Sequence, residues 1–78
     1  MSIVASKQLD YRNKDILVPI LILRKTLCSM RVGEILEILS DDPAAEMELN
    51  AWSKLTGHTV VDVYRREDFN RYFIQKER

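Results

Sequence analysis

The sequence predicts an α/β (α+β) two-layer sandwich in the order β-α-β-α-β-β, with two helices packed on one face of a four-stranded mixed sheet. Three observations lead there. Two stretches carry apolar residues at spacings of three and four, and each runs up to a glycine, Gly33 or Gly57, the only glycines in the chain. Four shorter stretches mix apolar, β-branched and charged residues in the manner of strands. Turn-prone connections join them, with no repeat, low-complexity tract or long linker between.

The elements follow in order. "VASKQLDY" alternates loosely and precedes the turn-prone "RNKD", which predicts a first strand over about residues 4–10. "LVPILILRKTLCSMRVG" predicts a helix. Pro19 fits its first turn, where a missing N–H removes no helical hydrogen bond, and Gly33 is its natural stop. Ile20, Leu23, Leu27 and Met30 fall on one face of it, while Arg24, Lys25 and Arg31 fall outside that stripe. Leu21 and Ile22 also lie off the stripe, so the outer flank of this helix is available to a partner or to the domain's own loops. "EILEILS" reads as a strand. "DDP" then opens a second helix, with Asp42 as N-cap, Pro43 at the first position and Gly57 just past the end. Its row of Met47, Ala51 and Leu55, with Trp52 beside it, is expected to face the core. "HTVVDVYRRE" and "NRYFIQKE" complete the sheet as two strands around "EDFN".

At 78 residues the chain makes one domain, 1–78, with a compact core and little room for a deep pocket. Hydrophobic residues at 46% and charged residues at 31% exclude disorder. The aliphatic run from Ile16 to Leu23 is far short of the roughly 20 apolar residues that span a bilayer. The N-terminus "MSIVASKQLD" has no signal-peptide layout, so a cytoplasmic location without membrane contact is expected. The single cysteine, Cys28, forms neither an internal disulfide nor a metal cluster with the lone His58, and no metal or cofactor is expected. Basic and acidic residues number 12 each, so no global field draws in nucleic acid or anionic lipid. Six acids from Glu34 to Glu48 stand without a cation, between segments of net positive charge, and such edges can be solvated faces or docking surfaces.

Few residues suggest chemistry. Asp41 and Asp42 are adjacent, which suits a helix cap better than a general acid and base pair. His58 follows the Gly57 stop and suits a role in shaping that loop. Cys28 is a candidate nucleophile because Arg24, Lys25 and Arg31 are neighbours along the helix, but its late position faces the negative end of the helix dipole. Arg65, Arg66, Arg71 and Lys76, interleaved with Tyr64, Tyr72 and Phe73, could hold RNA on the last two strands, although zero net charge is poor for that role.

"LDYR", "RKTL", "MRVGE", "DDPA", "WSKLTGH" and "YFIQK", in this order and at this spacing, resemble the TusA/SirA-like small sulfur carriers over roughly residues 8–76. The resemblance implies the same two-layer fold. It also implies a Cys-Pro-x-Pro motif at the start of the first helix, whose cysteine takes a persulfide sulfur from a cysteine desulfurase and passes it on, in the best-known case toward tRNA thiolation. A helix N-terminus stabilises a thiolate or persulfide there through its free N–H groups and dipole. Carried onto this chain, the cysteine position is Ile16, the next two are Leu17 and Val18, and only the second proline remains, as Pro19. An aliphatic side chain cannot hold a sulfane sulfur. The expectation is a family scaffold without the carrier cysteine, more a binding protein than an enzyme. It would dock sulfur-relay proteins or a second copy of itself through Ile16, Leu17, Val18, Pro19, Arg24 and Lys25. Sulfur transfer through Cys28 and RNA binding are the alternatives.

Overall fold

The structure, a computed structural model, describes residues 4–12 and 20–78, apart from the side chain of Ile20. Its elements are β1 (Lys7–Tyr11), α1 (Ile20–Cys28), β2 (Ile35–Ser40), α2 (Ala45–Thr56), β3 (Thr59–Arg65) and β4 (Asn70–Gln75). The four strands form one mixed sheet in the order β1-β2-β4-β3. β1 runs parallel to β2, and β4 is antiparallel to both β2 and β3, with a register shift between Val60 and Asp62. The predicted two-layer α+β sandwich is therefore the observed one.

Strand alternation sorts the sheet into two faces. Leu36 and Ile38 of β2 and Tyr72 and Ile74 of β4 join Leu23, Leu27 and Met30 from the first helical region and Ala45, Leu49 and Trp52 from α2 in one buried cluster. Both helices thus cover the same face. Each large side chain buried there contributes about 1.5–3 kcal/mol of transfer free energy, which holds the helices on the sheet.

The opposite face is also closed over its centre. Glu37, Leu39 and Phe73 lie on it, yet all three are buried. Gln8 donates to Glu37 Oε1 at 2.9 Å, and Arg71 Nε donates to Glu37 Oε2. The Arg71 guanidinium also lies 5.6 Å from the Tyr64 ring centroid and 5.3 Å from that of Phe73. One arginine therefore roofs the sheet with its charge and its planar surface together.

Three sequence expectations need correction. β1 begins at Lys7 and runs to Tyr11, slightly later than the 4–10 expected. α1 stops at Cys28, five residues before Gly33. Its end is held locally, where Ser29 Oγ donates to Thr26 O at 2.7 Å, and from elsewhere in the fold, where Lys76 Nζ donates to Met30 O at 2.6 Å. Gly33 serves a different turn. Its φ of 92° is a left-handed conformation, and its N–H reaches Lys76 O at 2.7 Å, which steers the chain into β2 beside β4. Sequence periodicity runs through this segment because Met30 is still buried, although outside the helix.

The second helix carries the largest correction. Met47, Ala51 and Leu55, expected in the core, form an exposed row, with Met47 72% and Leu55 87% exposed. The buried face is Ala45, Leu49 and Trp52, at spacings of four and three. The physical reason is the turn before the helix. Asp42 Oδ1 accepts from Ala44 N–H at 2.8 Å, and Asp42 O accepts from Ala45 N–H at 3.1 Å, so Pro43 and Ala44 form a tight turn, the regular helix starts only at Ala45, and the N-cap position is Ala44 rather than the expected Asp42 with Pro43 first in the helix. That start places Ala45 against the sheet and fixes the phase of every later residue. At the other end Gly57 caps the helix with φ 84° and donates to Ser53 O at 2.9 Å.

Candidate functional site

Ile16, Leu17, Val18 and Pro19, the positions expected to form the docking tip, lie outside the described residues. The part of the expected surface that is described lies on α1. Arg24 and Lys25 are exposed there, as are Leu21 at 63% and Ile22 at 46%. Thr26 Oγ1 donates to Ile22 O at 2.8 Å, so the hydroxyl turns back onto the helix backbone.

Cys28 closes α1 as an exposed free thiol. It opens on a cleft of about 280 Å³ that brings together the ends of both helices and the tail following β4. Of the three cations expected around this cysteine, only Arg24 lines the cleft. Lys25 and Arg31 do not, and Lys76 and Arg78 take their places from nearly fifty residues further along the chain. Lys76 Nζ is committed to main-chain oxygens, Met30 O at 2.6 Å and Cys28 O at 3.5 Å, so it neutralises the open carbonyl end of α1.

His58 ties the cleft together. Its Nδ1 accepts from Glu77 N–H at 3.1 Å, its carbonyl accepts from Ser53 Oγ, and its ring lies 5.6 Å from the Trp52 ring, tilted by 31°. Burial holds its pKa below the ordinary 6.5, reinforced by Lys76 and Arg78 and opposed by Glu77. With Nδ1 accepting, the neutral ring carries its proton on Nε2. The depressed value has a sign for stability. Below about pH 6.5 the unfolded chain binds this proton while the folded chain resists it, so His58 contributes stability that is present above that pH and lost as pH falls through the folded value. Thermal unfolding followed from about pH 7.5 to about pH 5.5 is expected to show a smaller drop in midpoint for His58→Gln than for the native chain.

Trp52, the only tryptophan in the chain, walls the same cleft and is 6% exposed. Its indole N–H is buried and meets no hydrogen-bond partner among the described residues. Sequence reasoning placed Trp52 and His58 in structural roles and did not bring either beside Cys28. No local spacing signals that meeting, because α1, α2 and the tail of β4 converge only through the sheet.

The strand residues considered for RNA are largely occupied. Tyr72 and Phe73 are buried at 1% and 2% exposed, so neither can stack on a base. Arg71 pairs with Glu37, and Arg65 pairs with Glu46 at 2.8 Å. These two pairs also use part of the acidic run, which ties the acidic and basic segments to each other. Among the described residues no group of three or more His, Cys, Asp or Glu could hold a metal ion, and no helix is long and apolar enough to cross a membrane.

The family described as sulfurtransferase TusA matches residues 7–76. YrkI of Bacillus subtilis is 32% identical over 72 residues, covering 92% of this chain and 96% of YrkI. The sulfur carrier protein TusA of Buchnera aphidicola is 32% identical over 73 residues, covering 94% of this chain and 92% of its own. The crystal structure of a SirA-like protein from Desulfitobacterium hafniense superposes with a TM-score of 0.74 at 14% identity, over 92% of this chain and 99% of that one, which establishes the shared fold. Family match and relatives agree in spanning the whole sandwich, from the first strand to the end of β4, and this chain belongs to the TusA family of sulfur carriers.

Proposed function

We propose that this chain works within a cytoplasmic sulfur relay by docking protein partners, having given up the persulfide-carrying cysteine of its family. The reading is supported by one observation: Leu21 and Ile22 are exposed on α1, and in the sequence they follow Ile16, Leu17 and Val18, the positions that the family resemblance aligns with Cys-Pro-x. Three aliphatic residues followed by an exposed aliphatic flank make a continuous apolar strip in the sequence, with Arg24 and Lys25 at its border. Such a strip suits an interface core with a polar rim.

The second reading keeps sulfur transfer and places it on Cys28. It is supported by the exposure of that thiol in a cleft with Arg24, Lys76 and Arg78. In this reading the Cys28 thiolate attacks the terminal sulfur of a desulfurase persulfide. A new S–S bond forms on Cys28, the donor's S–S bond breaks, and the donor leaves as its thiolate, with no oxidant required.

Intact-mass measurement after incubation with a cysteine desulfurase and free cysteine separates the two. The expected outcome is no gain of sulfur by the native chain or by Cys28→Ser. An enzyme-dependent gain by the native chain alone would establish Cys28 as a carrier and overturn the docking reading. A direct check of docking uses Leu21→Asp with Ile22→Asp: capture of relay proteins, or self-association in size-exclusion chromatography, is expected to fall at least about tenfold while the fold stays intact.

A further inference from the structure

We propose that the cleft walled by Trp52, between the ends of α1 and α2 and the tail of β4, is a binding site for a small organic anion, an oxyanion head on an apolar body. The inference rests on the cleft's own geometry and not on either reading of the sulfur chemistry.

The charged side chains of the lining are all cationic. Arg24, Lys76 and Arg78 contribute to it, and none of the described residues lining it has an acidic side chain; Glu77, whose backbone N–H donates to His58 Nδ1, is the nearby carboxylate that offsets this field at His58. Part of the positive charge has a structural task, because cations near helix C-termini balance exposed carbonyls. Lys76 performs that task with two hydrogen bonds. Arg24 and Arg78 form no ion pair or hydrogen bond with a described residue, and each carries five donors in a planar fork suited to an oxyanion.

The second observation is the buried indole N–H of Trp52 without a partner. An unsatisfied buried donor costs about 1–3 kcal/mol, and natural cores seldom retain one without a reason. Trp52 lines the cleft, so a shift of its ring that brings the N–H to an acceptor bound there would remove that cost. Leu27 and the Trp52 ring face the same space and supply apolar surface for the body of the ligand. Cationic side chains beside an apolar wall, with no acidic side chain among the described lining residues, define the ligand class as anionic and partly apolar.

Trp52 reports its own occupancy. Benzenesulfonate is titrated at constant ionic strength, following tryptophan fluorescence and the indole N–H resonance, with benzyl alcohol as the neutral counterpart. The expected result is a saturable shift with benzenesulfonate and none with benzyl alcohol. Arg24→Gln with Arg78→Gln is expected to weaken binding about tenfold, and the charge-matched Lys54→Gln with Arg66→Gln to leave it unchanged. No saturable shift, an equal response to benzyl alcohol, or equal weakening by both double variants would each overturn the proposal. The probe carries no transferable sulfur and no desulfurase is present, so the outcome is independent of whether Cys28 takes up sulfur.

Discussion

Replacing Leu49 by alanine is expected to destabilise the fold by about 2–5 kcal/mol, whereas Met47→Ser or Leu55→Ser is expected to cost under about 0.5 kcal/mol. Leu49 is fully buried between α2 and the sheet, with Ala45 and Trp52 on the same face. Truncation there removes apolar contact and leaves a cavity that the neighbouring strands can only partly close. Met47 and Leu55 stand in water on the opposite side of the helix, so shortening them removes little that folding had buried. Urea unfolding of the three variants measures the difference directly. If Met47→Ser costs as much as Leu49→Ala, α2 presents its other face to the sheet, and the register set by Asp42 and Ala45 is wrong.

Arg71→Leu is expected to cost about 2–3 kcal/mol, because it strands the buried Glu37 carboxylate with Gln8 as its remaining donor. The Arg71 side chain is 35% exposed, which places the cost below that of breaking a fully buried pair. Loss of the guanidinium from above Tyr64 and Phe73 adds about 0.5–1 kcal/mol. The double variant Glu37→Leu with Arg71→Leu is expected to recover most of the loss, since two apolar groups leave no uncompensated charge on that face. A double-mutant cycle in urea tests this. Equal destabilisation in the single and double variants would show that packing of the arginine over the rings, and not the pairing of charges, holds the outer face together.

Local residues were enough for the parts of the fold governed by local physics. Gly57 stops α2 because its left-handed conformation is open to glycine and costly to other residues, and that restriction is readable without knowing any partner. "EILEILS" and "NRYFIQKE" were readable as strands for a similar reason, since short mixtures of apolar and charged residues between turn signals mark strands without reference to a partner. The misread face of α2 shows where this stops. Met47, Ala51 and Leu55 make a clean apolar row, and so do Ala45, Leu49 and Trp52, so periodicity alone offered two answers. Choosing between them required the turn at Asp42, whose geometry depends on how the chain leaves β2. Glu37 was unreadable in the same way: a carboxylate in mid-strand looks like a solvent-facing position until Arg71, on the neighbouring strand β4 and 34 residues further along the chain, closes over it.

The candidate site divides along the same line. Sequence by itself determined the order of elements, the Gly57 cap, the family resemblance and the aliphatic character of residues 16–18, because each of these is a property of adjacent residues or of a pattern along the chain. Tertiary structure alone decided the surroundings of Cys28. Of its expected cationic neighbours only Arg24 shares the cleft, while Lys76, Arg78, His58 and Trp52 arrive from α2 and the end of β4. The reason is geometric: a helix sets neighbours three and four residues apart, but a cleft between helix ends collects whichever residues the sheet's strand order β1-β2-β4-β3 carries to that end.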